Sequence, residues 1–290
     1  MRTLFCVFSG TGNTLRASTR FAEELRSLGH EAEIYSIKNG APMPAVDGFD
    51  TLVVAYPIHA FNAPANVLKF LKNMPEGGGM PCYLLRTSGE PSKLNDASGI
   101  TPKRILKKRG YNVLGEFAYV MPYNIIFRHS DGMVARMVRA METRIPVDAR
   151  KVVEGAAALR KVDPLRRLAA FTLRIEHTAM PFIGHSFRTT EKCVGCGKCE
   201  KVCPLGNITM KDGKPSFGRS CVGCMGCSFS CPSDAVKIAV LNGWRVNGGY
   251  SFEGEPATDE EVCRYLHKIY LRYFHESESI NAAPMSAGRE

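Results

Sequence analysis

Arg2 to Phe8 is a continuous apolar run with little alternation, the pattern of a strand buried on both faces of a parallel sheet. It leads straight into Ser9-Gly10-Thr11-Gly12-Asn13-Thr14. Beyond that hexapeptide, Leu15, Phe21, Ala22, Leu25 and Leu28 recur at helical spacing until Gly29. The alternation continues, with strands predicted at 33–37, 51–57, 82–86 and 113–121 and helices at 64–71, 102–109 and 132–143. Five such units predict an α/β fold with a doubly wound, five-stranded parallel sheet. Pro146 and Pro164 divide the helical stretch 132–178 into three pieces. The last piece, Leu165 to Met180, has Leu165, Leu168, Phe171, Ile175 and Thr178 on one side and Arg166, Arg167 and Arg174 elsewhere. Such a helix packs between two domains, or lies on a membrane surface. Residues 241–250 read as a turn-rich strap. Thr258-Asp259-Glu260-Glu261 is a capping-box pattern that opens a last helix with Val262, Tyr265, Leu266, Ile269 and Tyr273 on one face. From Ser277 the composition is that of a disordered end.

Between the strap and the basic helix, one twelve-residue phrase occurs twice. Cys193-Val-Gly-Cys196-Gly-Lys-Cys199-Glu-Lys-Val-Cys203-Pro204 is followed by Cys221-Val-Gly-Cys224-Met-Gly-Cys227-Ser-Phe-Ser-Cys231-Pro232. This spacing is that of bacterial two-cluster ferredoxins, in which the fourth cysteine of each run ligates the other cluster. It predicts one [4Fe-4S] cluster on Cys193, Cys196, Cys199 and Cys231, and a second on Cys221, Cys224, Cys227 and Cys203. Paired zinc knuckles are the alternative, but they have no use for a third cysteine two residues on. The repeat runs past the prolines, Ile208 and Met210 matching Val236 and Ile238. Trp244, in the strap that follows, either covers the edge of an iron–sulfur cluster or is buried.

The first hexapeptide sits between a strand and a helix, where backbone N–H groups and a helix N-terminus converge on an anion. It lacks the Gly-Lys-Ser/Thr of a nucleotide P-loop, and Leu15 replaces the third glycine of a dinucleotide fingerprint. Its hydroxyls suit a phosphate monoester; the alternative is a helix-capping turn that binds nothing. The hexapeptide resembles the phosphate loop of flavodoxins, which holds the phosphate of FMN. That resemblance implies phosphate ligands at Ser9, Thr11, Gly12, Asn13 and Thr14. Loops leaving the strands' carboxyl ends would then line the flavin ring. Tyr56, His59 and Phe61 are candidate ring-covering side chains, with Asn62 beside them, backbone from Thr87, Ser88 and Gly89 at the pyrimidine edge, and Tyr123 and Asn124 in the last loop. His59 is otherwise a solvent-facing loop histidine, and Tyr123 an ordinary strand-end tyrosine.

Size and charge refine this. The chain has 290 residues, enough for two cores, with 44% hydrophobic and 23% charged residues. Of its eleven cysteines, eight are committed to iron, pointing to a reducing cytoplasm low in oxygen. No apolar run is long enough to span a bilayer. The net charge of +10 comes from residues 101–192, with 18 Lys/Arg against 8 Asp/Glu. This stripe suits a protein redox partner with an acidic docking surface, or is a solvated helix face; no nucleic acid is expected, and peripheral membrane contact stays open.

The order of motifs over residues 1–252 resembles the fused flavodoxin–ferredoxin proteins of anaerobic bacteria and archaea. The resemblance implies a flavodoxin-like FMN-binding domain (1–160), a helical basic linker (161–185), a ferredoxin domain with two [4Fe-4S] clusters (186–241), and a strap and C-terminal helix with a disordered end (242–290). It implies an electron carrier relaying single electrons between clusters and FMN for a partner oxidoreductase. The alternatives are a flavin-dependent reductase of a small organic acceptor, with His59 or Tyr123 as proton donor, and a redox-sensing interaction module.

Overall fold

A computed structural model describes residues 1–282. The strands β1 (Arg2–Val7), β2 (Glu31–Ser36), β3 (Thr51–Pro57), β4 (Pro81–Ser88) and β5 (Asn112–Val120) form one parallel sheet in the order β2-β1-β3-β4-β5. This is the flavodoxin-like order, with its switch point between β1 and β3. Helices α1 (Asn13–Ser27) and α4 (Asp131–Val153) cover one face, over Phe5, Val7, Val53, Ala55, Tyr83 and Leu85. Helices α2 (Ala65–Asn73) and α3 (Ile100–Lys108) cover the other, over Leu4, Cys6, Leu52, Val54 and Tyr56. Both sides of each central strand are buried, which is why the strands read as unbroken apolar runs.

Helix α4 passes through Pro146 without stopping, contrary to the break expected there. Proline in a helix interior costs about 3 kcal/mol. Ile145, Ala149 and Val152, all buried against the sheet, outweigh it. Next come α5 (Pro164–Leu173) and α6 (Glu176–His185), two helices where one was expected. Asp163 caps α5 by accepting the Arg166 N–H at 3.0 Å. The apolar side of α5 is not packed between domains. Leu165, Leu168, Phe171 and Ile175 are exposed, and Ala170 is the residue it buries.

The cysteine-rich module is small. β6 (Arg188–Thr189) pairs antiparallel with β9 (Val236–Lys237), β7 (Ile208–Lys211) pairs with β8 (Lys214–Phe217), and short helices α7 (Lys198–Lys201) and α8 (Gly226–Phe229) follow the two cysteine loops. Its core contains Phe187, Ile208, Phe217, Val236 and Ile238, so three of the four repeated apolar positions meet inside and Met210 does not.

The last helix, α9, spans His267–Ala282. It was expected to open at Thr258. The Thr258 N–H does bond the Glu261 carboxylate at 2.8 Å, but Leu266 has φ 55°, a left-handed conformation that no helix continues through. Tyr270, Tyr273 and Phe274 bury against Val120, Met133 and Met137. Ser277 is buried inside α9, so the disordered end does not begin there; its expected remainder, 283–290, lies outside the described residues. Part of the basic stripe is spoken for by this helix and the strap before it. Arg136 pairs with Asp259 at 2.7 Å and Glu278 at 3.2 Å, and Arg144 with Glu276 at 3.6 Å.

Candidate functional site

A cavity of ≈ 320 Å³ opens at the carboxyl ends of β1, β3, β4 and β5. Ser9, Gly10, Thr11, Asn13 and Thr14 form one end of it. Gly12 does not line it but shapes it. At φ 99° it makes the left-handed turn into α1, and its N–H donates to Ser9 Oγ at 3.2 Å. No side chain caps α1, so its first-turn N–H groups face the hexapeptide's concavity. Thr14 Oγ1 bonds Thr87 Oγ1 at 2.7 Å, and Asn13 Nδ2 donates to the Pro122 carbonyl at 2.7 Å, tying this loop to the end of β4 and to the loop after β5.

Of the residues named from the sequence, His59, Phe61, Thr87, Ser88, Gly89, Tyr123 and Asn124 line its walls. Tyr56 and Asn62 are not brought to the cavity. Tyr56 is fully buried in the core beneath α2 and α3, its hydroxyl donating to the Ser98 carbonyl at 3.2 Å. Asn62 turns away to donate to the carbonyls of Ala60 and Ala170, both at 2.8 Å. The tight His59–Asn62 turn places Ala60 and Phe61 at φ 41° and 61°, strained conformations that glycine or asparagine normally fill. His59 Nδ1 donates to the Val222 carbonyl at 3.0 Å, and burial lowers its pKa to about 4, so the ring is neutral. The Tyr123 ring lies on Gly89, where a Cβ would stand 2.0 Å from it, and its hydroxyl donates to the Glu90 carboxylate. Burial raises both of these pKa values.

The opposite wall lies outside the flavodoxin-like half. It comes from the cysteine-rich half: Gly223, Met225, Leu241 and Trp244, with Glu176 and Met180 of α6. Trp244 is not buried; it is exposed at this cavity's edge. Glu176 has its pKa pushed up to about 7 by burial. A signal was present in the repeat itself. Gly197-Lys198 of the first copy becomes Met225-Gly226 in the second. Met225 holds φ 59°, nearly the 68° of Gly197, and spends that strain placing a thioether on the cavity wall. Gly226 is required because a Cβ there would stand 2.6 Å from the Gly10 carbonyl oxygen. A Cβ on Gly10 would in turn stand 2.6 Å from Cys224 Cβ. The two loops touch backbone to backbone.

The eight repeat cysteines fall into two sets. Cys193, Cys196, Cys199 and Cys231 line one small cavity, and Cys203, Cys221, Cys224 and Cys227 line another. Among the described residues no three His, Cys, Asp or Glu side chains form a single-ion site. Backbone N–H groups of Asn207, Gly223 and Ala235 donate to the sulfurs of Cys203, Cys221 and Cys231 at 3.3, 3.4 and 3.3 Å. Such bonds favour thiolates and tune bound iron. Met225 lines both the second cysteine cavity and the large cavity. Of the remaining three, Cys6 and Cys82 are buried in strands as small hydrophobes, and Cys263 is half-buried before α9.

Residues 192–236 match the 4Fe-4S dicluster domain family. The N-terminal half is similar in structure to a flavodoxin of Streptococcus pneumoniae, at 16% identity over 54% of this chain and 100% of that one, with TM-score 0.40. Flavodoxin 1 from Bacillus cereus is similar at 15% identity over 54% and 100% of the two chains, with TM-score 0.40. Rubredoxin oxygen:oxidoreductase from Desulfovibrio gigas is similar at 11% identity over 53% of this chain and 35% of that one, with TM-score 0.34. No curated protein matches the chain. With its 2-1-3-4-5 sheet and its duplicated cysteine run, the chain joins a flavodoxin-like α/β domain to a 4Fe-4S dicluster domain.

Proposed function

We propose that this chain is an electron-transfer protein that relays single electrons between two [4Fe-4S] clusters and an FMN. The observation that carries the reading is the shared wall, where Met225 faces both the large cavity and the cavity of Cys203, Cys221, Cys224 and Cys227. When bound, such groups supply one-electron chemistry at the clusters and one- or two-electron storage at the flavin.

The residues divide the work. The uncapped start of α1, with Ser9, Thr11 and Thr14, would hold a phosphate. His59, Phe61, Tyr123, Met225 and Trp244 would enclose a ring and exclude water. The cysteines would hold the clusters crosswise, in the two sets that line the two small cavities. The set closed by Cys231 lies farther out, with Cys196 exposed and the exposed Lys192, Lys198 and Lys201 around it. That loop is the docking face for an acidic redox partner. With clusters bound, the two cysteine sets would stand in turn between that face and the large cavity.

Protein purified without oxygen should contain about eight irons and one FMN, the count its ligands require. Cys196→Ser and Cys231→Ser should abolish the same cluster, and Cys203→Ser and Cys224→Ser the other, as read by electron paramagnetic resonance after reduction. If Cys231→Ser instead silences the signal lost in Cys224→Ser, the crosswise assignment is wrong. Iron-free, flavin-free protein would remove the relay altogether.

A further inference from the structure

A second cavity, of ≈ 160 Å³, adjoins the large one. Tyr119 of β5, Arg144 of α4 and Tyr273 of α9 line it, and its rim, Lys93, Arg160, Arg272 and Glu276, is exposed. Water therefore reaches this cleft from outside. Ser88, Glu90 and Asn95 line the cleft and the large cavity alike. Of these three, Glu90 is the one that can gain or lose a proton near neutral pH.

Glu90 is held without being neutralised. Its carboxylate accepts from the Tyr123 hydroxyl and, at 3.4 Å, from Asn95 Nδ2, which also holds the Glu90 carbonyl at 2.8 Å. Both donors are uncharged. Cations line the cleft, yet among the described residues none forms an ion pair with Glu90. Arg144 pairs with Glu276 at 3.6 Å and Arg160 with Asp96 at 3.2 Å, while Lys93 and Arg272 stand at the exposed rim. Tyr270 of α9 lies close as well, its hydroxyl donating to the Gly89 carbonyl. Glu116 is the contrast, a buried acid flanked by Arg86 and Lys103 that lines neither cavity. Burial without a countercharge penalises the ionised form and raises the Glu90 pKa, against the two hydrogen bonds that lower it. A negative charge entering the large cavity would raise it further. The cavity has another such acid in Glu176, whose neighbour His59, 3.8 Å away, is neutral. The second space that Glu176 lines is ≈ 10 Å³, too small for more than about one water.

We infer that Glu90 is the proton-exchange group of the large cavity: it takes up one proton from water in the second cleft as the ring bound in the cavity gains one electron, and returns it on oxidation. This role rests on the relay proposed above, in which the cluster of Cys203, Cys221, Cys224 and Cys227 supplies the electron. The electron adds one negative charge to the ring and the proton cancels one on Glu90, so their summed charge is unchanged. Tyr123 and Asn95 are positioning residues that fix the carboxyl between cavity and cleft.

The test is reductive titration of the full chain, purified without oxygen with its flavin and iron, at a series of pH values, joined to reduced-minus-oxidised infrared spectra. In wild-type protein, reduction of the flavin should bring up the band of a protonated carboxyl. Glu90→Gln should lose that band, and its flavin potential should fall less steeply with pH, by up to about one proton per electron. Glu176→Gln should retain both. Tyr123→Phe removes a hydrogen bond that favours the charged carboxylate, so the step in potential should move to higher pH without vanishing. A Glu90 that merely props its loop would leave the pH dependence the same in all three variants. That result, a wild-type spectrum without the carboxyl band, or a band that survives Glu90→Gln or disappears with Glu176→Gln, overturns the inference and leaves the relay standing. Protein that carries no flavin overturns both.

Discussion

Gly10 and Gly226 bring the phosphate-loop candidate and the second cysteine loop together. Each lacks a side chain because the other loop occupies the space, Cys224 at Gly10 and the Gly10 carbonyl at Gly226. A methyl on Gly10 would meet Cys224 Cβ at 2.6 Å, its carbonyl oxygen at 2.8 Å and its sulfur at 2.9 Å. Overpacking of this kind costs about 1–3 kcal/mol. Gly10→Ala should therefore lower the denaturant midpoint and reduce flavin and iron content together. Gly243→Ala, where a Cβ meets nothing within 4 Å, should do neither. A Gly10→Ala protein with full iron and flavin would show that the loops part freely. At this scale the sequence was most legible where covalent chemistry dictates spacing, as in the two cysteine runs. It was least legible for Tyr56 and Asn62. A strand apolar on both faces carries no parity signal, so nothing told which way Tyr56 points. Asn62 was diverted by a carbonyl of Ala170, 108 residues away.

The element least foreseen in its effect is α9. The Tyr123 N–H donates to His129 Nδ1 at 3.3 Å, which leaves the proton on Nε2, facing the Tyr270 hydroxyl at 3.3 Å; that hydroxyl donates to the Gly89 carbonyl. The C-terminal helix thus holds a loop of the large cavity through one neutral histidine. The ring stacks on Tyr123 at 5.0 Å, with Phe127 and Tyr270 at its edges, and Tyr123 carries the Glu90 carboxylate at its far end. Burial lowers the His129 pKa from 6.5 to about 4. A group so depressed leaves the native state unprotonated while the unfolded chain takes up a proton. Its contribution is whole above about pH 6.5 and is lost as pH falls toward 4, a span worth up to about 3 kcal/mol. His59 titrates in the same sense. His129→Gln should therefore flatten, without abolishing, the fall in denaturant midpoint between those pH values. An unchanged profile would show that His129 is not buried neutral. The apolar spacing of α9 was readable, but its start was not. The capping box formed half its bonds, and a left-handed Leu266 then delayed the helix to His267. Such tertiary override also carries α4 through Pro146.

At the scale of the whole molecule, the two halves are joined by many small contacts on one cysteine loop. His59, after β3, donates to Val222; Asn124, after β5, donates through Nδ2 to the Cys224 carbonyl at 3.1 Å; and the Gly10–Gly226 approach lies beside Cys224. Farther out, Asn39 N–H bonds the Pro204 carbonyl at 2.8 Å and Ile126 N–H bonds the Trp244 carbonyl at 2.7 Å. No linear reading finds this seam, because every contact in it pairs residues of opposite halves. A seam tied at several points makes the halves unfold together. Each hydrogen bond contributes about 1 kcal/mol net, and more where a buried partner is left unsatisfied. His59→Ala and Asn124→Ala release the same loop from two sides, so their effects should not be additive. In wild-type protein, flavin fluorescence and cluster absorbance should change together along one denaturant transition. In the double variant the cysteine-rich half should lose its cluster absorbance first, at a denaturant concentration where the flavin is still held. Coincident transitions in the double variant would mean that the halves are fused by more than this loop, and that the apposition of cysteines and cavity tolerates losing both struts.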